Sequence, residues 1–136
     1  MVIDVSKSIE QIEKKVWAEP EYHSQLALTC HRLRKKPLKD FTIEDLRLLI
    51  GQNMNPELLI PLALEELKEN LLAEGDYYPG DLLYAVISCD PQYWQAHKDL
   101  WKAIKDLYDQ HCMVFESDDS YKQIRKAFDS FSTLNG

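Results

Sequence analysis

Apolar residues recur every three or four positions along most of the chain, the spacing that places them on one face of an α-helix. Proline, glycine and short polar residues separate these periodic stretches, as expected for helix ends. No run of alternating β-branched residues and no Asn-Gly or Asp-Gly hairpin signal occurs. The pattern predicts six or seven helices, at about residues 8–17, 22–36, 42–51, 55–71, 82–87, 90–111 and 117–131.

Capping residues support most of these boundaries. Ser8-Ile9-Glu10-Gln11 has the capping-box pattern, and Thr42 precedes two carboxylates in a first turn. Asn55-Pro56 and Asp90-Pro91 each combine a cap with a proline at the first helical position. The positions expected to face inward in the first two helices are Ile9, Ile12, Val16, Leu26, Cys30 and Leu33.

Three segments are less regular. Pro61 lies inside the fourth helix, so it either kinks that helix or marks a loosely formed first turn. Residues 82–87 are almost wholly apolar and indicate a short buried helix, with a strand as the alternative. The 90–111 helix carries Trp94, Trp101 and Tyr108 at intervals of seven, a stripe that requires other elements to cover it. Residues 132–136 are expected to fray.

Length and composition fit an ordinary globular protein. The chain has 136 residues, 45% hydrophobic and 29% charged, which predicts one domain over residues 1–136. With the helical periodicity, the fold class expected is all-α, packed as an irregular helical bundle. The longest apolar runs, 58–64 and 82–87, are too short to cross a bilayer. The polar N-terminus lacks a secretory core, and three widely spaced cysteines favour reduced thiols. We therefore expect a cytoplasmic protein with no membrane partner.

The negative charge is concentrated in the middle of the chain. Residues 57–119 contain 14 acidic residues and 4 lysines, a segment net of −10, whereas the whole chain has a net charge of −7. Such a field repels nucleic acid and anionic lipid and attracts a basic partner. Acidity can also serve solubility alone. A cluster of Arg and Lys at 32–39 has no interleaved aromatics, so we expect no nucleic-acid binding.

No pattern for catalysis or for binding a metal or cofactor emerges from the residues. The four glycines form no phosphate-binding loop, and the cysteines lie in apolar helical stretches that favour core packing. Cys30-His31 and His111-Cys112 are adjacent pairs, whose side chains point about 100° apart on a helix. We therefore expect no catalytic residue, no cofactor and no bound metal.

The tyrosine-rich turn at 74–81 allows more than one interpretation. Its carboxylates lack the spacing of a calcium loop, and the favoured explanation is structural, with Asp76 ordering the turn and Asp81 capping or charging the next helix. An enzyme that uses Asp76 and Asp81 with a metal remains an alternative. Tyr77 and Tyr78 with Trp94 and Trp101 fit either an aromatic binding surface or core packing.

Three blocks between Thr42 and Trp94 form a pattern in a fixed order. They are Ile43-Glu44-Asp45-Leu46-Arg47-Leu48-Leu49-Ile50-Gly51-Gln52, then Leu59-Ile60-Pro61-Leu62-Ala63-Leu64-Glu65, then Glu74-Gly75-Asp76-Tyr77-Tyr78-Pro79-Gly80-Asp81-Leu82-Leu83. This pattern closely resembles the contact-dependent growth inhibition (CDI) system immunity proteins. The segments outside it match no motif, so their assignment depends on helical periodicity alone.

The resemblance implies a non-enzymatic protein that binds the C-terminal toxin domain of a large exported effector and protects the producing cell. Many such toxins are nucleases, which need a cationic groove for phosphate. The prolines, glycines and leucines of the matched blocks set turns and fill a core, so exposed carboxylates are better candidates for toxin contact. These candidates are Glu65, Glu66, Glu69, Glu74, Asp76, Asp106, Asp109 and Asp118.

A second alternative function is a helical adaptor or regulatory subunit that binds another basic protein. A toxin gene immediately upstream, and protection on co-expression with that toxin, would distinguish the two. The identity of the toxin, the contact face and the oligomeric state are not determined by the sequence.

Overall fold

A computed structural model describes residues 3–16 and 24–135, and over these ranges the protein is all-helical. The prediction of an all-α fold is confirmed, with nine α-helices, two short 3₁₀ turns and no strand in the described part of the chain. No described helix is long and apolar enough to span a bilayer. The helices are α1 (Ile9–Glu13), α2 (Gln25–Leu33), α3 (Ile43–Gly51), α4 (Pro56–Glu69), α5 (Asp81–Ile87), α6 (Pro91–Ala96), α7 (Lys98–Gln110), α8 (Cys112–Glu116) and α9 (Lys122–Ser132).

The predicted helix starts at Ser8, Thr42, Asn55 and Asp90 are confirmed by their hydrogen bonds. Ser8 and Thr42 each form a full capping box, in which the cap side chain accepts a backbone N–H and the third helical residue bonds back. Asn55 accepts the Leu58 N–H and Asp90 accepts the Gln92 N–H. In each case a local side chain satisfies an otherwise unpaired N–H, which is why sequence alone located these starts.

Helix α5 lies at the centre of the fold. It packs against α3, α4 and α9, and Leu82, Leu83 and Val86 are completely buried. Burial on several sides explains why this segment is apolar without helical periodicity, and its helical form rejects the strand alternative. Helix α4 also contacts α3 and α7, and it continues without interruption through Pro61. The buried apolar residues form one cluster.

The predicted single helix over 90–111 is wrong, because the chain breaks at His97. The Nδ1–H of His97 donates to the Tyr93 carbonyl (2.8 Å), the acceptor that the His97 backbone N–H would use in a continuous helix. That backbone N–H donates instead to the Trp94 carbonyl. The break separates α6 from α7, and the imidazole stacks on the Tyr93 ring at 4.1 Å between centroids.

The aromatic stripe is nevertheless covered, as its spacing required. Trp94 is fully buried and meets Phe131 of α9 edge to face at 5.2 Å between centroids. Trp101 Nε1–H donates to the Phe131 carbonyl (2.8 Å), and Tyr108 stacks on Phe128 at 3.6 Å. The same helix α9 therefore covers residues from both α6 and α7.

The N-terminal helices are shorter than their periodicity predicts. Helix α1 ends at Glu13, and Val16 is 71% exposed rather than buried. Helix α2 begins at Gln25 after the Ser24 cap, and its predicted start at Tyr22, like the predicted end of α1 at Trp17, lies outside the described residues. Leu26, predicted to face inward, is 43% exposed.

Arg34, the C-cap of α2, connects the two N-terminal helices. Its side chain is 2% exposed, and its guanidinium donates to Glu13 Oε1 (2.6 Å) and to the Lys15 carbonyl (2.8 Å). The helix predicted over residues 22–36 includes Arg34. The helix instead ends at Leu33, and the Arg34 side chain turns into the protein. There the Glu13 carboxylate offsets the free-energy cost of burying the guanidinium charge.

The C-terminal segment differs from the prediction at both ends. Helix α8 was not predicted, and the Asp118 cap serves a 3₁₀ turn at Asp119–Tyr121 that leads into α9. Beyond α9, where fraying was expected, Asn135 Nδ2–H donates to the Trp94 carbonyl (3.0 Å). A tertiary hydrogen bond therefore fixes the chain where local propensity is weak.

Two leucines of α2 test this packing directly. Leu33 is fully buried and Leu26 is largely exposed, so Leu33→Ala should lower the free energy of unfolding by about 2–5 kcal/mol and Leu26→Ala by less than about 1 kcal/mol. Urea titration followed by circular dichroism measures both. Equal losses for the two variants would contradict the orientation of α2.

Candidate functional site

The turn at residues 74–81 is organised around the carboxylate of Asp81. This side chain is 3% exposed, at the first position of α5. Its Oδ1 accepts the Gly75 N–H (2.7 Å) and its Oδ2 accepts the Tyr77 N–H (3.1 Å). Backbone donors in a turn thus solvate a buried charge, which would otherwise be costly. The carboxylate also complements the N-terminal dipole of α5.

An ion pair on α3 holds the other side of this turn. The Arg47 guanidinium donates to both carboxylate oxygens of Glu44, from Nε at 2.6 Å and from its terminal nitrogen at 2.5 Å. Glu44 Oε1 also accepts the Asp76 N–H (2.9 Å), and Arg47 Nε lies 3.9 Å from Asp81 Oδ2. The Arg47 hydrogen bonds lower the pKa of Glu44. Together these contacts attach the turn to both α3 and α5.

Neither glycine of the turn has room for a Cβ without a shift of its neighbours, and Gly80 also has a backbone conformation that favours glycine. A Cβ on Gly75 would lie 2.5 Å from Glu44 Oε1, which is shorter than a van der Waals contact. Gly80 has φ +91°, and a Cβ there would lie 2.8 Å from Ile124 of α9. The Glu-Gly-Asp-Tyr-Tyr-Pro-Gly-Asp block therefore encodes a specific loop conformation between α4 and α5.

The role expected for Asp81 at the start of α5 is confirmed, but the turn-ordering role expected for Asp76 also belongs to Asp81. Asp81 orders the turn as well as charging the start of α5, whereas Asp76 contributes its backbone N–H and its side chain is exposed. Both Asp81 oxygens accept backbone N–H groups of the turn, whereas no hydrogen bond holds the exposed Asp76 side chain in the described structure. In the described part of the chain, no group of three His, Cys, Asp or Glu side chains is arranged to hold a metal ion.

The turn also presents aromatic surface. Tyr77 is 69% exposed and Tyr78 37%, in contrast to Trp94, which packs in the core. The Arg47 guanidinium carbon lies 4.5 Å from the centre of the Tyr77 ring. A depression of about 560 Å³ opens beside the ring between α3 and α5, and its lining includes Arg47, Tyr77, Tyr78, Asp81, Tyr84 and Asp90.

All eight predicted contact carboxylates are exposed, but they occupy several places on the surface. Glu65, Glu66 and Glu69 form one stripe on α4, where residues three or four positions apart are neighbours. Glu74 and Asp76 lie in the turn. Asp106 and Asp109 lie on α7, and Asp118 precedes the 3₁₀ turn before α9.

Four of these carboxylates have a local partner. Lys68 Nζ lies 3.3 Å from Glu65, Lys102 Nζ 3.9 Å from Asp106, and Lys105 Nζ 3.1 Å from Asp109. Asp118 accepts the Ser120 N–H (2.9 Å), which lowers the pKa of this carboxyl. The other four have no ion-pair partner among the described residues, and these are Glu66, Glu69, Glu74 and Asp76.

The buried thiols are poor candidates for nucleophiles. Burial raises the pKa of Cys89 to about 12 and also raises that of Cys30. A thiol with a raised pKa contains little of the reactive thiolate at neutral pH. Both cysteines pack in the core instead.

Sequence reasoning missed the Glu44–Arg47 pair and the burial of Asp81. The i,i+3 spacing of Glu44 and Arg47 was a usable signal for the pair, because such residues meet on a helix surface. Nothing in the spacing of residues 74–81 indicated that Asp81, rather than Asp76, accepts the N–H groups of the turn. That choice depends on α5 being buried.

Comparison with known proteins identifies a family. A family model described as CDI immunity proteins matches residues 11–104, well over half of the chain. The match includes the ion pair on α3, the turn and α5. No curated protein and no solved structure matches the chain significantly.

The assignment of the turn-ordering role to Asp81 rather than Asp76 can be tested with two isosteric substitutions. Asp81→Asn replaces one acceptor oxygen with an –NH2 group, which cannot accept an N–H, and should lower the free energy of unfolding by about 1–3 kcal/mol. Asp76→Asn, at an exposed side chain, should change it by less than about 0.5 kcal/mol. Urea unfolding measures both, and the reverse order of effects would refute the assignment.

The Glu44–Arg47 pair predicts a pH dependence of stability. Because the folded-state pKa of Glu44 lies below its usual value of 4.5, its contribution is present above pH 4.5 and is lost as pH falls through the folded value. Glu44→Gln should therefore be less stable than wild type at pH 7, and the difference should shrink toward pH 3. Glu69→Gln, at an exposed residue that forms no ion pair with any described residue, is the control. A Glu44→Gln deficit independent of pH would contradict the role of the charge.

Proposed function

Because the chain belongs to the CDI immunity proteins, we propose that it binds and neutralises the C-terminal toxin domain of a CDI effector. It protects the producing cell by binding alone and catalyses no reaction. The single observation that carries this proposal is the family match over residues 11–104. We place the complex in the cytoplasm, where a protein with free thiols at Cys30, Cys89 and Cys112 meets an incoming toxin.

The charge distribution supports a basic toxin, and specifically a nuclease. Residues 57–119 have a net charge of −10, and this segment includes the exposed faces of α4 and α7. A nuclease carries a cationic groove for phosphate, and an anionic protein that binds there excludes the substrate. The acidic field also raises the rate of encounter in a salt-dependent way.

The contact residues proposed are the eight exposed carboxylates, with the α4 stripe as the first choice. Glu65, Glu66 and Glu69 lie together, and two of them have no ion-pair partner in the described structure. Unpaired carboxylates contribute the most to the field outside the protein, because their charge is not offset by a neighbouring cation. The paired residues on α7, Asp106 and Asp109, contribute less.

Removing the charges of the α4 stripe should slow association with the toxin. The triple variant Glu65→Gln, Glu66→Gln, Glu69→Gln should associate roughly 10-fold more slowly at low salt and approach the wild-type rate at high salt, because screening removes the steering. Stopped-flow mixing with the purified toxin domain encoded immediately upstream measures the rate. Co-expression with the same domain measures protection of growth.

A charge-matched control distinguishes the effect of where the charges lie from the effect of the total charge. Glu10→Gln, Asp40→Asn, Asp129→Asn removes the same number of negative charges outside 57–119 and should change the rate less. A wild-type chain that neither binds nor protects against this toxin would refute the proposed function. Equal slowing by the two triple variants would leave the function in place and refute the α4 stripe as the contact.

A further inference from the structure

Tyr77 is an exposed aromatic residue whose position is fixed by its own protein. Its backbone N–H donates to the buried Asp81, and the Arg47 guanidinium lies 4.5 Å from the centre of its ring. Arg47 is in turn held by both oxygens of Glu44. The ring is thus supported on one face while the residue remains 69% exposed. Little further ordering of the turn is needed when a partner binds.

The charge around this ring is negative on balance, although Arg32 lines a second depression beside Tyr77 together with Glu44, Asp45 and Asp76. Glu44 neutralises Arg47, and the neighbouring Glu74 and Asp76 are exposed with no ion-pair partner in the described part of the chain. Negative charges next to the ring repel an acidic partner and attract a basic one. The edge of the aromatic surface therefore complements a cation.

The depression beside the ring is also lined by aromatic and acidic side chains. Tyr78 and Tyr84 contribute apolar surface with polar hydroxyl groups, and Asp90 contributes a half-buried carboxylate. Asp90 Oδ1 caps α6 through the Gln92 N–H, and no described Lys or Arg lies within ion-pair distance of it. Aromatic faces combined with an unpaired carboxylate suit a guanidinium, which is flat, weakly hydrated and always charged.

We propose that Tyr77 and the depression beside it are the anchor point for an arginine side chain on the toxin domain. The guanidinium stacks on the open face of Tyr77, and its N–H groups pair with the carboxylates at the edge of the depression. This inference rests on the proposed function and adds the site and the class of residue that it binds. The acidic surface of α4 governs the rate of encounter, whereas the Tyr77 anchor governs the lifetime of the complex.

The first test compares substitutions of Tyr77 in the full chain, with the purified upstream-encoded toxin domain as the probe. Tyr77→Ala should weaken Kd at least about 30-fold, mainly through faster dissociation, as expected for a central aromatic residue. Tyr77→Phe, which keeps the ring, should stay within about threefold of wild type. Met113→Ala, at a residue 75% exposed on α8, is the control and should bind as wild type does. Circular dichroism and urea unfolding establish that each variant is folded.

The second test identifies the partner residue. A photoreactive benzoylphenylalanine at position 77 should cross-link to a toxin segment that contains arginine, located by mass spectrometry. Alanine at that arginine should weaken binding to wild type at least tenfold and add little to the loss already caused by Tyr77→Ala, because the two changes remove one contact.

The outcomes separate the two proposals. If Tyr77→Ala binds the toxin as tightly as the wild type does, the proposed anchor is refuted and the proposed function is unaffected. Equal losses from Tyr77→Phe and Tyr77→Ala overturn the stacking interaction, and additive losses in the double variant overturn the pairing with arginine. A wild-type chain that binds no toxin refutes the proposed function itself.

Discussion

A buried carboxylate organises the centre of this protein. Asp81 is the first residue of α5, and its buried carboxylate requires hydrogen-bond donors, which the Gly75 and Tyr77 N–H groups supply. Meeting this requirement folds the connector back over the start of α5. The connector then reaches Glu44 on α3 through its own backbone. One electrostatic requirement thus links α3, α5 and the connector that joins α4 to α5.

The same constraint determines what the protein presents to a partner. Hydrogen bonds of its backbone N–H groups to Asp81 and Glu44 hold the turn in place. The other side chains of the turn are not needed for this and are exposed. Tyr77 lies on a rigid support, and Glu74 and Asp76 flank it without internal partners in the described structure. A loop of this kind combines a fixed shape with an adaptable surface. That combination suits a family whose members bind toxins, because the scaffold and the contacts can vary independently.

Structural features that depend on residues close in sequence could be predicted, and features that depend on tertiary packing could not. Thr42 and Asn55 cap their helices through N–H groups only three residues away, so their roles are visible in the sequence. The break at His97 depends on an imidazole that replaces a backbone donor, and no propensity signals it. Leu26 satisfies helical periodicity, yet α2 offers only part of that face to the core. Periodicity identifies a face but does not show whether another element covers it.

The candidate site divides in the same way. By itself the sequence determined the all-helical class, the acidic middle of the chain and the family resemblance, because composition, caps and spacing are local quantities. Only the tertiary structure decided that Asp81 is buried, that Glu44 and Arg47 hold the turn, and that Tyr77 is exposed while Trp94 is not. Burial is a property of the elements that surround a residue. Those elements lie far away in sequence, so a linear pattern cannot specify which aromatic ring they leave at the surface.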